Sequence, residues 1–324
     1  MNILWLPIVV LLGALAAPSF AVAQGKVARI GWLSAGTAEI DADLMEGLRR
    51  GLKELRHVEG KGYRIESHFT AGRPERLPEA AAALAASKVD VIVASGDQAA
   101  LAAKRATGTI PVVVQVADAI GIGLVTSLAH PGGNVTGASD LHADLVPKRL
   151  EILKELVPNL SRAAFLSNPR NPTCVRQASE IRAAAPSFGL ALHPVEVAGA
   201  EDMERAFGAI AKEKVGGLIV CGDRMLATHR SRIYELATKQ RLPTMYANRR
   251  FVHAGGLISY GTNLADLYQR LAVQVDRILK GAKPGDLPLE QPTKFEVVIN
   301  LRAAKAIGLT VPRPLLLRAD HIVE

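Results

Sequence analysis

The chain has 324 residues, more than one hydrophobic core usually serves, so two lobes of ordinary domain size are expected. Hydrophobic residues make up 49% and charged residues 22%, which excludes a disordered chain, while the 4% aromatic content implies a core of Val, Ile, Leu and Ala. The formal charge is +8, but Lys and Arg are scattered along predicted helices without long runs or interleaved aromatics, so a nucleic-acid surface is not indicated.

The opening stretch carries no charged side chain, an apolar run from Ile3 to about Ala17, and Ala21-Val22-Ala23 in the small-x-small pattern of a signal-peptidase site. It reads as a cleaved secretory signal over residues 1–23, which implies a periplasmic protein. The alternative, a membrane anchor, needs about 20 apolar residues, and the run is shorter. The mature chain is therefore the basic part.

From Val27 strand and helix alternate. VARIGWLS is a short apolar run, and the helix expected from about Asp41 to Leu55 places Leu44, Leu48 and Leu52 on one face. YRIESHFT, an Ala-rich helix from about Leu77 to Ser87, VDVIVAS, a helix from Gln98 to Ala106 and TIPVVVQV complete a first α/β half. Strands joined through helices need crossover connections, so the sheet should be parallel with helices on both faces.

A second series restarts after GGNVTGAS, with a helix from about Leu145 to Leu156, strand RAAFLS, a helix from about Thr173 to Phe188, strand LALHPVEV, a helix from Ala200 to Glu213 and strand GGLIVCG. The halves rhyme: VIVASGD ends at Asp97 and LIVCGD at Asp223, each followed by a helix and a Pro-led strand. GGLISYG, a long helix from about Leu264 to Leu279, LPLEQP and KFEVVIN follow as single late elements, which suggests several crossings between lobes. The expected division is 27–140 plus about 262–290 for lobe 1, and 141–261 plus about 291–324 for lobe 2. Cys174 and Cys221 are the only cysteines; an oxidising compartment permits a bridge between them, and two buried thiols are the other reading.

Several motifs carry a resemblance. RIGWLS near the mature start, SLAHPGGNVTG from Ser127 to Gly137, KRLEILKELVPNLSRAAFLSNPRNP from Lys148 to Pro172, RLPTMYANRRFVHAGGLISYG from Arg241 to Gly261, and the tail ending in RADHIVE occur in order along essentially the whole mature chain. Together they resemble the ABC transporter substrate-binding family that includes the tryptophan- and tyrosine-binding lipoproteins. The resemblance implies a type I periplasmic-binding fold, a small ligand held between the lobes, namely an amino acid, with aromatic ones among the candidates, or a related carboxylate, and a permease partner in the inner membrane. One departure is Val116-Ala117-Asp118-Ala119, where the family commonly shows Gly-Asp-Pro after the fourth strand.

Ligands of open parallel sheets sit at the carboxyl ends of the strands, where helix N-termini present free N–H groups. That rule selects Ser34 and Thr37 after the first strand, Ser95, Gly96, Asp97 and Gln98 after the third, and Asp118 after the fourth. In the second half it selects Asn168, Asn171, Asp223, Tyr246 and Asn248, and Tyr260 is added because aromatics are scarce. Asp118 and Asp223 suit an ammonium group or a salt bridge across the cleft. Plainer alternatives stand beside several of these: Asp97, Asp118, Asn171 and Asp223 are candidate helix caps, and the tyrosines suit a core or hinge.

Gly121-Ile-Gly123 lacks the third glycine of a dinucleotide loop, the eight histidines form no metal motif, and no nucleophile elbow occurs. No cofactor, metal or catalytic set is expected, and the chain reads as a monomeric binder that closes by a hinge. An extracytoplasmic sensor domain or a secreted α/β enzyme are the alternatives. The reading requires space between the lobes that the protein's own side chains leave open.

Overall fold

The computed structural model describes residues 27–140 and 145–324, so the signal sequence read over residues 1–23 lies outside the described residues. The first half supplies β1 (Ala28–Ser34), α1 (Ala38–Glu54), β2 (Tyr63–Phe69), α2 (Leu77–Ala86), β3 (Val91–Ser95), α3 (Asp97–Ala106), β4 (Val112–Val116) and β5 (Val135–Ser139). These strands form one parallel sheet in the order β2-β1-β3-β4-β5. Every residue of β3 and β4 is buried, as β-branched runs covered on both faces require. Helix α1 starts where Thr37 Oγ1 accepts a hydrogen bond from the Ile40 N–H at 3.2 Å, and it buries Leu44, Leu48 and Leu52.

The second half supplies α4 (Val146–Leu156), β6 (Arg162–Ser167), α5 (Pro172–Ala184), β7 (Ala191–Glu196), α6 (Met203–Lys212), β8 (Leu218–Val220), α7 (Arg224–Thr228), α8 (Arg230–Lys239), β9 (Thr244–Tyr246), α9 (Arg249–His253) and β10 (Ile258–Gly261). The late elements are α10 (Leu264–Leu279), β11 (Glu296–Asn300), α11 (Leu301–Ala306), α12 (Arg313–Arg318) and β12 (His321–Val323). The second sheet runs β12-β11-β10-β9-β8-β6-β7, and all its pairs are parallel except β10 with β11. That antiparallel pair departs from the all-parallel expectation, because β11 enters from the other lobe.

The late elements divide between the sheets. Helix α10 lies against α1, with Leu264, Leu267, Tyr268, Leu271 and Val275 in one core with Trp32, Leu44 and Leu48. The expected strand in LPLEQP reduces to a bridge between Ala138 and Glu290, where the Glu290 N–H donates to the Gly137 carbonyl at 2.8 Å. The helix expected through Phe188 is regular only to Ala184; Pro186 lacks an N–H, and a tighter turn closes on Gly189 in the left-handed region. The chain passes between the sheets after Ser139, after Gly261 and between Glu290 and Glu296.

Candidate functional site

The carboxyl ends of β3, β4 and β8 point toward one cleft between the two sheets, together with the start of α9. The cleft holds a cavity of about 40 Å³ within about 630 Å³ of atom-free space, part of it open to solvent. Its walls carry Ser95, Gly96, Asp97, Gln98, Gln115 and Asp140 from the first half, and Asn171, Asp223, Arg224, Arg230, Asn248 and Arg250 from the second. Apolar contacts come from Ala35, Ala99, Ala117, Ala227, Phe251 and Leu264.

On the first side, Gly96 precedes α3 with φ +95, a conformation that costs L side chains energy, and this lets the helix N-terminus face the cleft directly. Asp97 Oδ1 accepts from the Ala117 N–H at 2.8 Å, tying the β3 and β4 loops together. Burial pushes the Asp97 carboxyl up to about 6; the Ala117 N–H and Thr173 of the opposite lobe pull it down, while Asp140 and Asp223 push it up. Ser95 Oγ accepts from the Tyr268 hydroxyl at 2.7 Å, so α10 supports this wall from behind.

On the second side, Asp223 begins α7 by accepting the Leu226 N–H at 2.9 Å on Oδ1. Its Oδ2 accepts from Asn171 Nδ2 at 2.9 Å and Asn168 Nδ2 at 3.2 Å. Asn171 Oδ1 in turn caps α5 through the Thr173 N–H at 3.0 Å. Arg224 reaches across: its Nη2 donates to Gln115 Oε1 at 2.8 Å, and its chain passes over Gly96, where an added Cβ would come within 3.1 Å of Arg224 Cγ. Arg224 Nε is buried with no hydrogen-bond partner, and so is Arg230 Nε. Burial opposes the Arg224 charge, but Asp41, Tyr268 and Asp43 overcome it and hold the guanidinium above its ordinary pKa. Arg250, only 12% exposed, pairs with Asp43 at 2.9 Å.

Of the residues selected from sequence, Ser95, Gly96, Asp97, Gln98, Asn171, Asp223 and Asn248 line the cavity. Six lie elsewhere. Ser34 Oγ accepts the Gly36 N–H, and Thr37 caps α1. Asp118 makes a cross-lobe ion pair with Arg176 at 2.5 Å, the alternative role weighed for it. Asn168 is fully buried beneath Asp223. Tyr246 sits in the second core stacked on Phe251 with ring centroids 5.0 Å apart, and Tyr260 packs on Phe295. The sequence reading missed Gln115, Ala117, Asp140, Arg224, Arg230, Arg250 and Phe251. Gln115 and Asp140 satisfy the strand-end rule and were findable; the arginines were passed over because scattered cations usually mark solvated helix faces.

Cys174 and Cys221 form a disulfide with Cα atoms 5.9 Å apart, which settles the two readings in favour of the bridge. Among the described residues no cluster of His, Cys, Asp and Glu suits a metal ion, and no helix is long and apolar enough to cross a membrane.

Two α/β halves joined by several crossings, with polar groups from both converging on one cleft, define a bilobed ligand-binding protein. Comparison with known proteins makes the class specific. The chain belongs to the ABC transporter substrate binding protein family, which it matches over residues 39–323. A tyrosine-binding protein of Clostridioides difficile is 23% identical over 265 residues, covering 82% of this chain and 76% of that one. A conserved domain protein from Vibrio cholerae superposes with a TM-score of 0.86 at 29% identity, covering 92% of this chain and all (100%) of the other. An ABC domain in complex with L-Trp from Streptococcus pneumoniae gives 0.84 at 26% identity, again covering 92% and 100%. The fold is the type I periplasmic-binding architecture expected from the sequence.

Proposed function

We propose that the protein is the periplasmic solute receptor of an ABC importer, that it captures an amino acid or related small carboxylate between its lobes, and that it hands the ligand unchanged to an inner-membrane permease. The lobes in this reading are 27–140 plus about 262–290 and 141–261 plus about 291–324. The observation that carries it is the pairing of opposite charges in one cleft. Arg224 has a buried, unpartnered Nε–H beside the N-terminus of α3, a combination that suits a carboxylate, and Asp97 faces the same space and suits an ammonium group. The tyrosine-binding relative and the L-Trp complex support an amino acid, and Phe251 is the aromatic wall against which a ring would lie.

Arg224 occupies part of the cleft, so ligand entry requires the lobes to part or the guanidinium to swing from Gln115 to the ligand. Either way the ligand replaces a contact between the lobes with its own, which couples binding to closure. Amino acids and small carboxylates screened by thermal shift and calorimetry test the reading. Saturable binding of at least one is expected, with recovered ligand chemically unchanged and affinity lower by at least about tenfold in Arg224→Ala. If none raises the midpoint at saturating concentration, the ligand class is wrong. Sequencing the N-terminus of protein recovered from its native host tests export, with the mature chain expected to start after Ala23.

A further inference from the structure

The cleft wall of the second lobe is made by two loops far apart in sequence. One runs from Asn168 to Thr173 between β6 and α5, and the other from Cys221 to Arg224 between β8 and α7. Three kinds of bond hold them together. The Cys221 N–H donates to the Leu166 carbonyl at 2.9 Å, extending the sheet one residue past β8. The Asn168 and Asn171 amides both donate to Asp223 Oδ2. The Cys174–Cys221 disulfide then joins the first turn of α5 to the residue that precedes Gly222, Asp223 and Arg224, all three of which line the cavity. Both cysteines are essentially fully buried in the second core, at 0% and 1% exposure.

That placement is more specific than general reinforcement demands. Helix α5 is anchored at its start by Asn171, so Cys174 is a fixed point, and Cys221 is the last residue before the chain turns into the ligand wall. Without the bridge no covalent tie limits movement of the two loops at Cys221, and a shift there is passed to Gly222 before any regular structure can absorb it. Glycine, with the most backbone freedom, transmits such a shift poorly controlled. Asp223 and Arg224 would then lose register with Asn171 and with Gln115 across the cleft.

We propose that Cys174 and Cys221 are positioning residues for ligand binding: their bridge holds the Cys221–Arg224 loop in register with the Asn168–Thr173 loop, so that Asp223 and Arg224 meet the ligand preorganised. The affinity arm of this proposal rests on the amino-acid reading above; the structural arm does not. The test compares the native protein with a Cys174→Ala/Cys221→Ala double variant. Hydrogen exchange needs no ligand, and amides of residues 222–228 are expected to exchange at least about tenfold faster in the variant while those of α10 are unchanged. Equal exchange in 222–228, or acceleration spread evenly over both lobes, overturns the proposal.

Calorimetry with L-tyrosine and L-tryptophan supplies the second arm, beside a Phe207→Leu control on α6 that lowers the melting midpoint with the bridge intact. The expected result is weaker binding, about tenfold, through faster dissociation in the double variant and native affinity in the control. Native affinity in the double variant overturns the positioning role. If native protein binds neither, the aromatic form of the ligand reading has failed, and the exchange result alone decides whether the bridge positions the loop.

Discussion

At the scale of single residues, Gly96 and Asp97 carry opposite burdens. Gly96 has φ +95 and leaves 3.1 Å between its missing Cβ and Arg224 Cγ, so Gly96→Ala adds strain and pushes against the side chain that crosses the cleft. We expect it to destabilise the protein by about 1–2 kcal/mol and to weaken ligand binding, as checked by chemical denaturation and calorimetry. Asp97 is raised by burial from 3.8 to about 6, so the fold prefers it protonated. Its contribution to stability is complete below the unfolded value, about pH 4, and is lost as pH rises through about 6; two units correspond to about 3 kcal/mol. Asp97→Asn removes that loss, and its stability advantage over the native protein should grow between about pH 4 and about pH 6 when melting is followed across that range. A ligand ammonium at Asp97 lowers the carboxyl's pKa again, so binding near pH 6 should release a proton, visible as a buffer-dependent binding enthalpy. Residue roles were half legible in advance. Asp97 and Asp223 stand at strand ends, as the rule demands, but nothing in the sequence says that Asn168 and Asn171 spend their amides on Asp223.

Elements were more legible than residues because their signals are local and repeated. The periodic leucines of α1 and the β-branched runs of β3 and β4 announce one helix and two buried strands without reference to partners. Partners are another matter. Helix α10 settles on α1 because Gly47 and Gly51 let the backbones approach: an added Cβ at Gly51 would lie 2.2 Å from the Gln269 carbonyl oxygen and 2.6 Å from Ala272 Cβ. Trp32 and Tyr268 meet in the same seam with ring centroids 5.2 Å apart. Gly51→Ala should force the helices apart and cost about 1–3 kcal/mol, measured as a lower denaturation midpoint. Because Tyr268 also supports Ser95, the same substitution is expected to reduce ligand affinity, linking a helix seam to the site.

For the whole molecule, the ion pairs that cross between the lobes among the described residues all run the same way. Glu75 pairs with Arg170 at 3.3 Å, Asp118 with Arg176 at 2.5 Å, and Asp43 with Arg250 at 2.9 Å; every acid is on the first lobe and every arginine on the second. Exposed pairs contribute about 0.2–1 kcal/mol each and are screened by salt, whereas the nearly buried Arg250 is screened less. Raising ionic strength from about 0.01 M to about 1 M should therefore open the ligand-free protein, read as a larger radius of gyration in solution scattering. Reversing the charges of Glu75 and Asp118 to Lys should open it at low salt as well; no change in either case would rule out electrostatic closure.

The sequence by itself determined the α/β alternation, the doubling into two halves and the family, because apolar periodicity and ordered motifs survive without knowledge of what packs on what. Only the tertiary structure decided that α10 packs along α1, that β11 pairs antiparallel with β10, that Cys174 meets Cys221, and that Arg224 rather than Tyr246 enters the cleft. The physical reason is distance along the chain. An arginine on a short helix reads as a solvated cation until the first lobe, folded from residues more than a hundred positions away, brings Gln115 and the start of α3 against it.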